Sequence, residues 1–147
     1  MKILFKTKIN KSLSEIKSKF NVDLFKALKP PLVKLVVKRF DGCSVNDEVH
    51  LDLGSFGLKQ NWISIITAES VNENEWSFVD EGKLLPWPLA SWRHHHRVIQ
   101  LNKDSSLVVD DINYQCTYSW LNWAVFPALW LSFAFRPKSY RKFFQGE

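Results

Sequence analysis

Glycine and proline are scarce, five and six in 147 residues, which excludes a collagen-like chain and a low-complexity disordered one. Cysteine occurs only at Cys43 and Cys116, without the paired spacing of a zinc site, and a reducing compartment keeps both as thiols. No Gly-rich phosphate loop and no nucleophile elbow are present, so nothing in the sequence implies a nucleotide, a cofactor or a Ser or Cys nucleophile. The amino terminus offers only Ile3-Leu4-Phe5 before Lys6, Lys8 and Lys11. That run is far shorter than a signal peptide needs and no cleavage site follows it, so a cytoplasmic protein is expected.

What is present fits one globular domain over residues 1–147: 46% hydrophobic, 24% charged and 14% aromatic side chains, with seven tryptophans. Such a chain can build and fill a sizeable apolar interior. The net charge of +5 is unevenly spread, with about +9 in residues 1–40, −7 in 41–135 and +3 in 136–147. Lys2, Lys6, Lys8, Lys34 and Lys38 could form a basic outer stripe for nucleic acid or anionic lipid. That stripe lacks the interleaved exposed aromatics on which bases stack, so no nucleic-acid partner is expected.

Hydrophobic alternation makes Ile3 to Ile9 a half-buried strand. Ser12 with Glu15 reads as a capping box for a helix reaching Asn21, and Asp23 to Leu28 as a second short helix before Pro30-Pro31 forces an extended exit. Six further strands follow, at Val33–Phe40, Glu48–Leu53, Gln60–Glu69, Glu75–Val79, Ser91–Leu101 and Leu107–Tyr118, joined by hairpin-length turns. The expectation is a seven-stranded antiparallel sheet. Trp120 to Phe135 is apolar nearly throughout and too long for a strand. A spanning helix needs about 20 apolar residues, and this segment is shorter and holds Pro127. A helix buried against a curved sheet is the ordinary reading, with Pro127 marking a start and Pro137 a kink, so that the element runs in two pieces. The competing reading is a helix lying at a lipid surface, anchored by Arg136, Lys138, Arg141 and Lys142.

Several local stretches fit one family. Asp23-Leu24-Phe25, Arg39-Phe40-Asp41-Gly42 followed by Asp47-Glu48-Val49, Trp92-Arg93-His94-His95-His96, Asp110-Asp111-Ile112-Asn113-Tyr114 and Phe135-Arg136 resemble motifs of the START-like/Bet v 1-like (SRPBCC) superfamily. The likeness is to its bacterial ligand-binding branch, related to polyketide cyclases and lipid-transfer proteins. The resemblance implies an α+β helix-grip fold: a curved seven-stranded antiparallel sheet, two short helices after the first strand, and a long C-terminal helix on the concave face enclosing a cavity. The chain departs from the family pattern at Asn46, where Gly is usual, and at Leu85-Pro86-Trp87-Pro88, where Gly-Pro is usual and a large ring stands instead.

The chemistry-bearing residues fall on two adjacent strands. Trp92, His94, His96 and Val98 share one face, as do Val108, Asp110, Ile112 and Tyr114 on the next. A turn at Asn102–Asp104 pairs Leu101 with Ser105, which sets His96 opposite Asp110, His94 opposite Ile112 and Trp92 opposite Tyr114. A buried His96–Asp110 pair serves either as a satisfied structural pair or as a general acid/base. Arg93, His95 and Arg97 face outward. His94 and His96 with Asp110 or His50 could ligate a metal, but no further ligand spacing reinforces this, and none is expected.

The leading functional reading is a non-enzymatic binder or carrier of a small hydrophobic or aromatic molecule. Trp62, Trp92 and Trp130 would wall the cavity, and His94, His96 and Tyr114 would fix polar groups. The alternative is a cyclase- or dehydratase-type enzyme using His96 and Asp110. Third is an interaction module built on the basic stripe, with at most weak contact to an anionic membrane surface and no stable insertion. Trp130 and Phe133 are expected to face Ile3, Phe5 and Val37.

Overall fold

The computed structural model describes residues 1–31, 33–55 and 57–146. In chain order the elements are β1 (Lys2–Ile9), α1 (Leu13–Ser18), α2 (Val22–Ala27), β2 (Lys34–Phe40), β3 (Glu48–Ser55), β4 (Leu58–Val71), β5 (Glu75–Leu84), β6 (Leu89–Asn102), β7 (Ser105–Cys116), α3 (Ser119–Ala134) and α4 (Arg136–Gln145). The seven strands form one antiparallel sheet in the order β1-β7-β6-β5-β4-β3-β2. Every neighbour except β1–β7 is a sequential hairpin, and the chain's first strand closes on its last.

Local chemistry accounts for the helix boundaries. Ser12 caps α1 through a capping box: the Glu15 amide donates to Ser12 Oγ at 3.4 Å and the Ser12 amide to Glu15 Oε2 at 2.9 Å. The helix expected to reach Asn21 stops at Ser18, because Asn21 is itself the cap of α2, with Oδ1 accepting from the Asp23 and Leu24 amides. The β2–β3 turn needs both its special positions. Asn46 stands at φ 75°, and a Cβ at Gly42 (φ 148°) would come 2.5 Å from Asp47 Oδ2.

Register follows the hydrophobic pattern, with one difference at the β6–β7 turn. Asn102 pairs with Ser105, and a bulge at Leu101 restores the register by Gln100↔Ser106. His96↔Asp110, His94↔Ile112 and Trp92↔Tyr114 therefore lie opposite one another, as the spacing predicts. The strands overrun their expected ends most at β5, which continues past Val79 to Leu84 through polar residues that alternation alone does not mark.

Two apolar clusters fill the concave side. One joins Ile16, Leu24, Phe78, Val98, Val108, Tyr140 and Phe144 beneath α1, α2 and α4. The other joins Ile3, Trp92, Ile112, Tyr114, Leu121 and Phe133 beneath α3. The closing helix divides at Phe135, since Pro137 has no amide to donate to Phe133 and is tolerated only in the first turn of a new helix. Pro127, in contrast, lies inside α3 and starts nothing. No helix among the described residues is long and apolar enough to cross a membrane.

The basic stripe does not form as one surface. Lys2, Lys6 and Lys8 are on β1 and Lys34 and Lys38 on β2, the two opposite edges of the sheet. Trp130 meets Phe5 as expected, at 5.7 Å between ring centroids, but remains 46% exposed, whereas Phe133 is buried against Trp92 and His94. Phe133→Ala should accordingly lose about 3 to 5 kcal/mol in urea unfolding, and Trp130→Ala only about 1 kcal/mol. Equal losses would place Trp130 in the core.

Candidate functional site

Between the two apolar clusters lies a polar band. On β6 the inward row runs Trp92, His94, His96, Val98, and on β7 Val108, Asp110, Ile112, Tyr114, so the middle positions of each row carry the polar groups. Burial there is nearly complete, and every polar atom needs a partner.

Asp110 is the hub. Its Oδ1 accepts from His94 Nε2 at 2.9 Å, from Arg136 Nη1 at 3.1 Å and from the Tyr140 hydroxyl at 3.3 Å. The expected partner, His96, faces Asp110 across the strands, yet its Nδ1 stands 3.6 Å away and makes no hydrogen bond. The pair is therefore His94–Asp110, a diagonal contact. Burial pushes the Asp110 carboxyl up, but Arg136, His94 and His96 outweigh it and hold the group well below the usual carboxylate range. An ionised carboxylate can only accept, so His94 carries its proton on Nε2. His94 and His96 are shifted down by burial, His96 further by His94 beside it, and both are neutral at pH 7. Their rings lie 3.6 Å apart, with Phe78 stacked 4.4 Å beyond His96.

Asp80, which falls one residue past the expected end of its strand, is the residue that sequence reasoning missed. It pairs with His94 across β5–β6 and so points to the same concave side. Its Oδ1 is closed off from solvent without a partner. Burial raises its carboxyl to about 6, with the Ser64 hydroxyl and Arg136 pulling the other way. Continuing the alternation of Trp76 and Phe78 by one step would have found it. Arg136 Nε and His96 Nδ1 are likewise buried without partners.

These groups floor a cavity of about 300 Å³. Trp62, Trp92 and Phe133 wall it, Val125 and Leu129 of α3 roof it, and Trp87 stands at its edge, 68% exposed. Trp62 and Trp92 meet edge to face at 4.8 Å. A second pocket of about 30 Å³ beneath α2 shares Asp80, His96 and Arg136 with the first. Trp62, Trp92, His94 and His96 thus line the main cavity. Tyr114 and Trp130 do not. The Tyr114 hydroxyl donates to the Asn122 carbonyl at 2.8 Å, tying β7 to α3, and Trp130 faces away from the cavity.

The spacing of the acidic and imidazole groups indicates what they can hold. Ligating atoms of Asp80, His94 and His96 lie within 4.8 Å of one another, but no Asp80 oxygen comes within 4.0 Å of a nitrogen of either imidazole. Two ligands at zinc distance can be no more than about 4.2 Å apart and at the tetrahedral angle about 3.4 Å. One oxygen hydrogen-bonded to two partners holds them about 4.6 Å apart. A separation between 4.0 and 4.8 Å accommodates a bridging oxygen and is wider than the tetrahedral zinc spacing. His50, the other metal candidate, is on β3 between the inward Val49 and Leu51, turned outward with Nε2 2.7 Å from Glu48 Oε2.

The structure is similar to those of the Zhui aromatase/cyclase from Streptomyces sp. R1128 (TM-score 0.66, 10% identity, 99% of this chain and 97% of that one) and truncated norcoclaurine synthase from Thalictrum flavum (0.68, 13%, 100% and 94%). A hypothetical protein from Helicobacter pylori is similar too (0.67, 8%, 95% and 84%). The fold these likenesses show is the α+β helix-grip architecture. No family model matches the chain, and no curated protein matches its sequence. Within this helix-grip architecture, the polar band and the cavity belong to this chain's own residues, because identities near 10% carry the fold and not the chemistry.

Opposite pH behaviour is expected of the two carboxylates. Asp110, depressed on folding, contributes stability that is present above the unfolded value of 3.8 and lost only as pH falls through its lower folded value. Asp110→Asn should cost about 3 to 5 kcal/mol at pH 7, since it strands Arg136. Asp80, raised on folding, contributes stability complete below 3.8 and lost as pH rises through about 6. Asp80→Asn should therefore be more stable than the parent at pH 7, by about 1 to 3 kcal/mol, with the difference gone at pH 4. Urea titrations at the two pH values read both, and a destabilised Asp80→Asn at pH 7 would contradict the strained carboxylate.

Proposed function

We propose that this protein binds and carries a small apolar, ring-containing molecule bearing one neutral hydroxyl group. The observation that carries the proposal is the unpartnered Asp80 oxygen on the floor of an aromatic-walled cavity, on a carboxylate that lies within 4.8 Å of the ligating nitrogens of His94 and His96. A hydroxyl both donates and accepts. It gives its proton to Asp80 and accepts from the imidazole of His96, whose tautomer no other bond fixes. A carboxylate head is disfavoured, because Asp80 and Asp110 outnumber Arg136 and both histidines are neutral. The Trp62 and Trp92 rings suit a flat apolar body, and a cavity of about 300 Å³ accommodates two or three fused rings.

The same geometry favours a second reading as an acid/base enzyme of the cyclase or dehydratase type. In that reading Asp80, raised to about 6, takes the place expected of Asp110, whose Oδ1 already accepts from His94, Arg136 and Tyr140.

Native mass spectrometry of the purified protein should show a co-purifying apolar molecule. With 2-naphthol, naphthalene and 2-naphthoate as probes, calorimetry at pH 7 should rank 2-naphthol first by about tenfold or more. Asp80→Asn should reduce that preference while leaving naphthalene binding unchanged. Equal affinity for all three probes would refute the hydroxyl seat, and no binding of any probe would refute the carrier reading.

A further inference from the structure

The outward side of α3 is apolar and uncovered. Trp120, Trp123, Pro127, Trp130 and Leu131 recur at three- and four-residue spacing and so share one helix face. All five are exposed, Trp120 and Trp123 at 66% and 72%. The opposite face, with Leu121, Val125, Leu129 and Phe133, turns to the sheet and the cavity. Only Ser119, Asn122 and Ser132 are polar in the helix, and Asn122 is spent on the Cys116 amide at 2.7 Å. A helix apolar all round normally has both sides covered. Here the chain covers one side and leaves a stripe about 17 Å long, from Trp120 to Leu131.

The character of the stripe and its charged flank select the occupant. Trp is the side chain most suited to a membrane–water boundary, where its ring meets acyl chains and its N–H meets headgroups. At Phe135 the stripe passes directly into α4, which exposes Lys138, Arg141 and Lys142. Arg136 does not contribute, being buried against Asp110. No Asp or Glu occurs between Asp111 and Glu147. A second copy of this chain would bring the same cations to the contact and no acidic group from this segment to meet them. Anionic headgroups complement it.

We infer that α3 and the start of α4 form a docking face for an anionic lipid bilayer, with the indoles of Trp120, Trp123 and Trp130 seated at the interface and Lys138, Arg141 and Lys142 on the headgroups. This attachment is peripheral and does not depend on what the cavity holds.

Co-sedimentation of the full chain with phosphatidylcholine vesicles, with and without phosphatidylglycerol, tests it. The parent is expected to bind the anionic vesicles, with a blue shift in Trp fluorescence and a loss of binding as salt rises. Trp120→Gln combined with Trp123→Gln should bind at least about tenfold more weakly at an unchanged Tm, since neither ring is buried. Lys138→Gln, Arg141→Gln and Lys142→Gln together should abolish the preference for phosphatidylglycerol. Three results would each overturn the inference: a parent that pellets with neither vesicle, a double Trp variant that binds like the parent, or a parent dimer in sedimentation velocity that the Trp variant dissociates while vesicle binding is absent.

Discussion

The ionised carboxylate of Asp110 ties together parts of the chain that the backbone ladder alone would leave independent. It is donated by the sheet's seventh strand, braced by His94 on the sixth, and paired with Arg136 and Tyr140 on the final helix. A buried charge is tolerated only when it is paired and hydrogen-bonded, and here three donors from two other elements converge on Oδ1. Arg136 in turn lies 4.1 Å over the Phe133 ring, so the same contact orients the end of α3 above the cavity. The roof of the cavity is thus set by a polar pairing, while its walls are set by apolar packing.

That arrangement separates two carboxylates that a sequence cannot rank. Asp110 has its partners and stays charged. Asp80 faces the same band from the other neighbouring strand, lacks a partner at Oδ1, and is pushed toward neutrality by the same burial. Environments that drive two acids apart in this way give one of them a structural task and leave the other available. Reading the two strands in isolation assigns the tasks to the wrong residues, because direct cross-strand opposition suggests His96 for Asp110 while the side chains meet along the diagonal from His94.

Much of the architecture was legible because alternation and turn chemistry are local. Ile3 to Ile9, the capping box at Ser12 and the facing rows on β6 and β7 all follow from spacing, and a bulge at Leu101 absorbs the one-residue error in the turn. Less legible were features decided by distant parts. Asp80 sits in a strand extension held by pairing to β4 and β6 rather than by its own hydrophobicity. Tyr114 looked like a ligand contact, since an inward tyrosine offers a hydroxyl, but only the fold reveals that Asn122 takes it. The lysines of β1 and β2 look alike in the chain, and strand order alone sets them at opposite edges.

Pro127 gives the closing helix a property beyond shape. Having no amide, it leaves the Trp123 carbonyl without the donor that every uninterrupted turn supplies. Both residues are exposed, on the same outward face, and no side chain among the described residues donates to that carbonyl. Water can. Full immersion in hydrocarbon would leave the carbonyl unsatisfied at a cost of several kcal/mol. The helix therefore carries a hydrated notch midway along its aromatic side, a point at which its backbone stays bound to water.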